Sequence, residues 1–163
     1  MSFSIKRWFV AALSVVAGSL IVLMIVFEYP GGIAPSYRVT DHDTRLTPIA
    51  REAIPIIQTI DRFYKAHGQC PRVSADDLAE LQKGIGNDVV ATIVAGEISF
   101  QMSGSVIGWM YYSPDQHRSS CSLSRKLGWD PALVWQRDGE KTNWVFVPGD
   151  GSEEKPIQLN IGE

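Results

Sequence analysis

Residues that do chemistry are scarce in this chain. Of its 163 residues, two are cysteine and three are histidine. Cys70 and Cys121 are too few and too far apart for a C-x-x-C redox pair or a zinc site. His42, His67 and His117 are scattered, and no G-x-S-x-G elbow accompanies the Ser119-Ser120 pair near His117. No G-x-x-x-x-G-K loop is present, and Gly84-Ile85-Gly86 lacks the downstream pattern of a dinucleotide site. Basic residues are also short: 15 Lys and Arg stand against 18 Asp and Glu, a net charge of −3. A nucleic-acid-binding domain wants a basic face, so that class is excluded. Asp41-His42-Asp43 reads as a solvated linker, because three consecutive side chains rarely point at one ion. Asp150, Ser152, Glu153 and Glu154 fit no defined calcium spacing and read as an acidic turn. The expectation is a non-enzymatic protein with no cofactor, no metal and no nucleic-acid partner.

What the chain does have is one long uncharged run, Trp8 to Phe27. As a helix these twenty residues would rise about 30 Å, the thickness of a bilayer's hydrocarbon core. The run exceeds the usual apolar length of a cleaved signal peptide, about 7–15 residues. It reads as an uncleaved, single-pass transmembrane helix with the lipid bilayer as its partner. Lys6 and Arg7 precede it, which keeps residues 1–7 in the cytoplasm and exports the chain beyond Phe27. Beyond Glu28 the chain carries 13 basic and 17 acidic residues. Residues 28–46, with Pro30, Gly31, Gly32 and Pro35, form a linker whose Tyr29 and Tyr37 suit the headgroup level. The remaining 47–163 is about the commonest size for a single domain. On the exported side an oxidising compartment makes a Cys70–Cys121 disulfide the default, with two buried free thiols as the alternative.

Within 47–163 the patterning changes period. Thr47 suits an N-cap and Pro48 a first helical position. Ile49, Ala53, Ile56, Ile60, Phe63 and Tyr64 fall on one helical stripe that Gly68 stops, with Pro55 kinking the helix or delaying its start. Ser74 to Lys83 is a second, short helix, with Ser74 and Asp77 at capping-box spacing and Gly84 as its stop. Val89–Val94 suits a strand or a continuing helix. Strands are expected at Glu97–Met102, Val106–Tyr112, Cys121–Leu127, Leu133–Arg137 and Thr142–Val147, with a last one through Ile157, Leu159 and Ile161. Asp138-Gly139 signals a hairpin. The expected fold class is α+β: an amphipathic helix laid across an antiparallel meander.

The segment Ile56 to Pro71, IIQTIDRFYKAHGQCP, followed by Ser74-Ala75-Asp76-Asp77-Leu78, resembles the helix end of type IV pilins and type II secretion pseudopilins. Phe63-Tyr64, Gly68, Pro71 and Leu78 stand in that family's places, and Cys70 replaces its usual aromatic before the proline. The resemblance covers mainly residues 49–83. No prepilin cleavage motif opens the apolar run, so the resemblance implies a pilin-like domain that stays anchored. It also implies a bacterial inner membrane, with the N-terminus cytoplasmic and the domain in the periplasm.

Aromatics crowd the second half. Trp109 and Tyr111 share one strand face and Tyr112 takes the other. Most should pack in the core, and Trp109, Tyr112 and Trp129 are the candidate partner-binding residues. His67, beside the stop glycine, suits the free carbonyls at the helix end. The functional expectation is an interaction or accessory subunit of a larger membrane or envelope assembly. The alternative is a tethered ligand-binding or sensor domain using exposed aromatics. The cysteine reading has a direct check. Full-length chain recovered from membranes should run faster on a non-reducing gel than after reduction, and Cys121→Ser should abolish the difference.

Overall fold

A computed structural model describes residues 37, 38, 40, 42–114 and 119–161. A single π-helical turn, His42–Leu46, leads into α1, Thr47–Glu52. Two more helices follow: α2, Ile54–His67, and α3, Ala75–Gly84. Seven strands follow among the described residues: β1 Val89–Val94, β2 Glu97–Met102, β3 Trp109–Tyr112, β4 Ser120–Lys126, β5 Ala132–Asp138, β6 Lys141–Val147 and β7 Lys155–Ile157. All seven form one antiparallel sheet in strict chain order.

These elements overturn the expected fold class. The pilin-like α+β arrangement called for a transmembrane helix, a linker over 28–46, and one amphipathic helix packed on an antiparallel sheet. Among the described residues a seven-stranded sheet dominates, and the α-helical residues divide among three short helices. Among the described residues no helix is long and apolar enough to cross a membrane. The run Trp8–Phe27 and the tail before it lie outside the described residues. The physical reason for the broken helix is Pro55. It has no N–H to donate to Arg51, so the ladder stops. The Ala53 N–H turns back to Ala50 O at 3.0 Å, and Ile57 N–H restarts the pattern on Ala53 O at 2.9 Å. Thr47 is not the N-cap; Leu46 precedes α1 and no side chain caps it.

The helix ends are otherwise chemically ordinary. Gly68 takes φ +67° after α2, a left-handed conformation that favours glycine, and bonds back to Tyr64 O at 2.7 Å. Ser74 Oγ accepts from Asp77 N–H at 3.3 Å to cap α3. The reciprocal half of the capping box is missing, because the Asp77 carboxylate accepts from Arg72 N–H instead, at 2.6 Å. The β5–β6 hairpin is present, with Asp138 paired to Lys141, so Gly139 and Glu140 are its loop residues. Gly139, at φ +58°, stands at the first central position. The last strand is shorter than the alternation suggested. After Ile157, the chain leaves the sheet, and Leu159 and Ile161 pack against the core. Arg51 holds this tail through Ile161 O and Asn160 O.

Each strand contributes alternate residues to an inner face. Ile98, Phe100, Trp109, Tyr111, Leu123, Leu133, Trp135, Trp144 and Phe146 bury there with Ala50, Ala53, Ile56, Ile60 and Phe63 of the helices. A fully buried Ile, Leu or Phe contributes roughly 1.5–3 kcal/mol of transfer free energy, so this one layer supplies most of the driving force. Tyr37, assigned to the headgroup level by sequence, packs half-buried against this core with Arg45 over its ring.

Covalent and polar ties then fix the helical layer on the sheet. Cys70 and Cys121 form a disulfide, with Cα atoms 6.2 Å apart. Tyr111 Oη donates to Pro71 O at 2.7 Å beside it. Arg125 pairs with Glu52, and buried Arg137 pairs with Asp61 while donating to Gly139 O. The Arg137 guanidinium also lies over the Tyr64 ring, 4.5 Å from its centre. Removing one partner of a buried pair leaves a desolvated charge. Asp61 is one-third exposed, which tempers that cost. Asp61→Ala should destabilise the fold by about 1–3 kcal/mol in a denaturant titration, and Arg137→Met should cost less than Asp61→Ala.

Candidate binding face

The outer face of the sheet carries the opposite alternation. Val90, Thr92 and Val94 of β1 start it, and Ser99, Met110, Ser124, Val134, Val145 and Pro156 continue one cross-strand row. A second row is more polar. Tyr112 pairs with Ser122, Ser122 with Gln136, and Gln136 with Asn143. Directly opposed residues on adjacent strands stand on the same face, so these four side chains project together. At about 4.8 Å per strand step the row spans roughly 14 Å. Among the described residues none of the four side chains makes a hydrogen bond within the protein.

This row lines a cleft of about 320 Å³, completed by Pro114, Ser120, Cys121, Arg137 and Asp138. Of its two charged residues, Arg137 is paired with Asp61 and Asp138 is exposed. Asp138 accepts from Ser120 Oγ at 3.0 Å, and the Arg137 guanidinium is turned to Asp61 and Gly139 O. Beside the Asp138 carboxylate, the row turns one aromatic ring, one hydroxyl and two amides to solvent.

The three aromatic candidates part company. Trp109 is fully buried, packed edge-on to Trp144 with ring centres 6.0 Å apart, and is therefore no surface residue. Tyr112 is half exposed on the outer face. Trp129 is 74 % exposed but sits in the β4–β5 loop, at the opposite end of β4 from Tyr112's partner Ser122. Tyr112 and Trp129 therefore belong to different surfaces. Sequence reasoning missed Ser122, Gln136 and Asn143, because polar residues on an exposed face carry no signal until register aligns them.

β1 is the first strand of the sheet and pairs on one side, with β2. It has no charged residue and no proline, and Val90, Ile93 and Val94 are exposed. Gln82 of α3 reaches across this edge. Its amide donates to Val89 O at 3.0 Å and accepts from Ala91 N–H at 2.9 Å, in the manner of a neighbouring strand. Antiparallel alternation turns the Ile93 N–H and C=O to the same side, beyond the reach of that amide. At the far edge β7 has three residues and includes Lys155 and Pro156, both of which discourage strand addition.

Other candidates resolve plainly. His67 Nε2 lies 2.8 Å from Glu80 Oε1 and its ring packs on Phe63, so it ties α2 to α3 and does not cap the helix end. The Asp150 carboxylate is used within its own turn, where the Ser152 hydroxyl and then the Ser152 N–H hold it below the usual carboxylate range. It supports the turn while ionised, and that support is lost as pH falls through its lowered value. Among the described residues no group of three or more His, Cys, Asp or Glu could hold a metal. Asp41, the side chains of His42 and Asp43, and His117 lie outside the described residues. Among the described residues two buried donors, Trp109 Nε1 and Arg137 Nε, have no hydrogen-bond partner.

No family model, curated protein or solved structure matches this chain.

The face assignment predicts a sharp contrast between tryptophans. Trp109→Ala should cost about 3–5 kcal/mol in chemical denaturation, as expected for emptying a buried aromatic site. Trp129→Ala should stay within about 0.5 kcal/mol of the parent, as expected for an exposed position.

Proposed function

We propose that this chain is a membrane-tethered accessory subunit of an envelope assembly, and that it docks by strand addition at β1. The observation that carries the reading is the unguarded half of that edge. Six uncharged residues, three of them exposed aliphatics, present the outward Ile93 backbone groups, whereas β7 is shortened and blocked. Natural sheets usually blunt such an edge with charge or proline. One left open is a template for an extended segment of a partner, with main-chain bonds giving affinity and alternate side chains giving specificity. The fitting partner is another membrane subunit with an uncharged, β-branched extended segment. The run Trp8–Phe27 supplies the tether, and Lys6 and Arg7 before it suit a domain held on the export side, the periplasm of a bacterial cell.

The free polar row on the outer face favours a second reading, a recognition domain for a small or polymeric ligand. The two surfaces are compatible, since one uses the sheet's edge and the other its face.

Docking is tested with tagged full-length chain purified from detergent-solubilised membranes. A stoichiometric partner should co-purify with the parent. Ile93→Pro removes the outward N–H without breaking any β1–β2 bond and should lose that partner while keeping the parent's thermal melt. Recovery of this chain alone, or undiminished capture by Ile93→Pro, would count decisively against the docking mode.

A further inference from the structure

The geometry points to the Tyr112–Ser122–Gln136–Asn143 row as a binding site for a short stretch of a neutral, polyhydroxylated chain, an uncharged oligosaccharide. The assignment rests on the second reading above, that the row is a recognition face, and names its ligand class. Register places one residue from each of β3, β4, β5 and β6 in line. Their polar groups are free of protein partners among the described residues, and they open on a cleft of about 320 Å³. Ligand sites run from about 300 to 1,000 Å³, so the cleft holds a short segment and not a large cofactor.

The chemistry of the row selects the ligand. A phenol and a serine hydroxyl each donate and accept, and each side-chain amide offers two donors and an acceptor. The complementary ligand must bring donors and acceptors in alternation, as a run of hydroxyl groups does. An anion only accepts, so it would leave both amide oxygens without a partner. A cation only donates and would leave the amide N–H groups idle. Among the described lining residues an anion would find no free counter-charge, because Arg137 is paired with Asp61, and a cation would find only the exposed Asp138 carboxylate, which also accepts from Ser120 Oγ. Lys141 stands across from Asp138 at the rim of the sheet, outside the residues lining the cleft. The half-exposed Tyr112 ring adds a flat apolar platform at one end. A sugar ring has a face of C–H groups that lies flat on such a platform while its hydroxyls point sideways, along the row.

The test uses full-length protein in an amine-oxide detergent, which has no sugar headgroup to compete. Saturation-transfer NMR and calorimetry are run with maltotetraose, cellotetraose and chitotetraose as neutral probes. Tetragalacturonate serves as an anionic probe and N-acetyl tetra-asparagine amide as an uncharged peptide. At least one neutral tetrasaccharide should bind, with Tyr112→Ala and Asn143→Ala each weakening it by about tenfold and Tyr112→Phe by less than about threefold. Trp129→Ala, on the other surface, should leave the affinity within about twofold. Thermal melts of each variant exclude unfolding, and Asn143→Ala, at an exposed position, keeps the test valid should Tyr112→Ala fail to fold. Binding of tetragalacturonate or the peptide alone, sensitive to Tyr112, would overturn the ligand class and leave the recognition face standing. If no probe binds with sensitivity to Tyr112 or Asn143, the ligand class and the recognition face both fall.

Discussion

The structure depends on one clamp between its helical layer and its sheet. Cys70 is bonded to Cys121 at the start of β4, and the Tyr111 hydroxyl reaches Pro71 O beside it. Both cysteines, the tyrosine and the proline are buried. The bridge closes a loop of 51 residues, which on the chain-entropy model limits the unfolded state by about 4 kcal/mol. It acts where α2 ends and the chain must turn towards α3. Upstream of the clamp, Ile56, Ile60 and Phe63 are thereby held on the sheet. Downstream, α3 is delivered to the β1 edge, where Gln82 makes its two strand-like bonds.

That geometry links the clamp to both surfaces. Cys121 lines the cleft on one side of β4 while Tyr111 and Tyr112 divide the two faces of β3. The inner alternation is saturated with aromatic packing. The outer one carries a mixed row from Thr92 to Pro156 and, beside it, the polar row from Tyr112 to Asn143. Arg137 shows how firmly the two faces are separated. Its backbone belongs to the strand that carries Gln136, yet its guanidinium is spent on Asp61 and Gly139 O.

Much of the strand pattern was legible, because period-two alternation survives wherever one face is buried: Glu97–Met102 appears with its expected bounds. The helical part was less so. Ile49 to Tyr64 reads as one stripe in which Pro55 signals a kink or a late start, whereas the structure divides it into two helices. The resemblance to pilins rested on the helix end beyond that break, Phe63-Tyr64, Gly68 and Pro71, with Leu78 after it. The candidate site was legible only in its aromatic member, Tyr112. Ser122, Gln136 and Asn143 are ordinary surface residues in sequence, and they become a row only when four strands adopt one register. Trp109 misled for the converse reason: its strand alternation was clear, but which face would be buried was not.

Strict chain order has a kinetic consequence. Every strand pairs with its sequence neighbour, so the sheet can assemble hairpin by hairpin from contacts of short loop length. Such local topology favours rapid zippering. The helical layer has no such shortcut, because Cys70 must find Cys121 across α3 and the first three strands. Appearance of the oxidised bridge would thus report the late step in which α2 settles on a sheet already in register. A chain whose thiols remain accessible would have its meander without its roof.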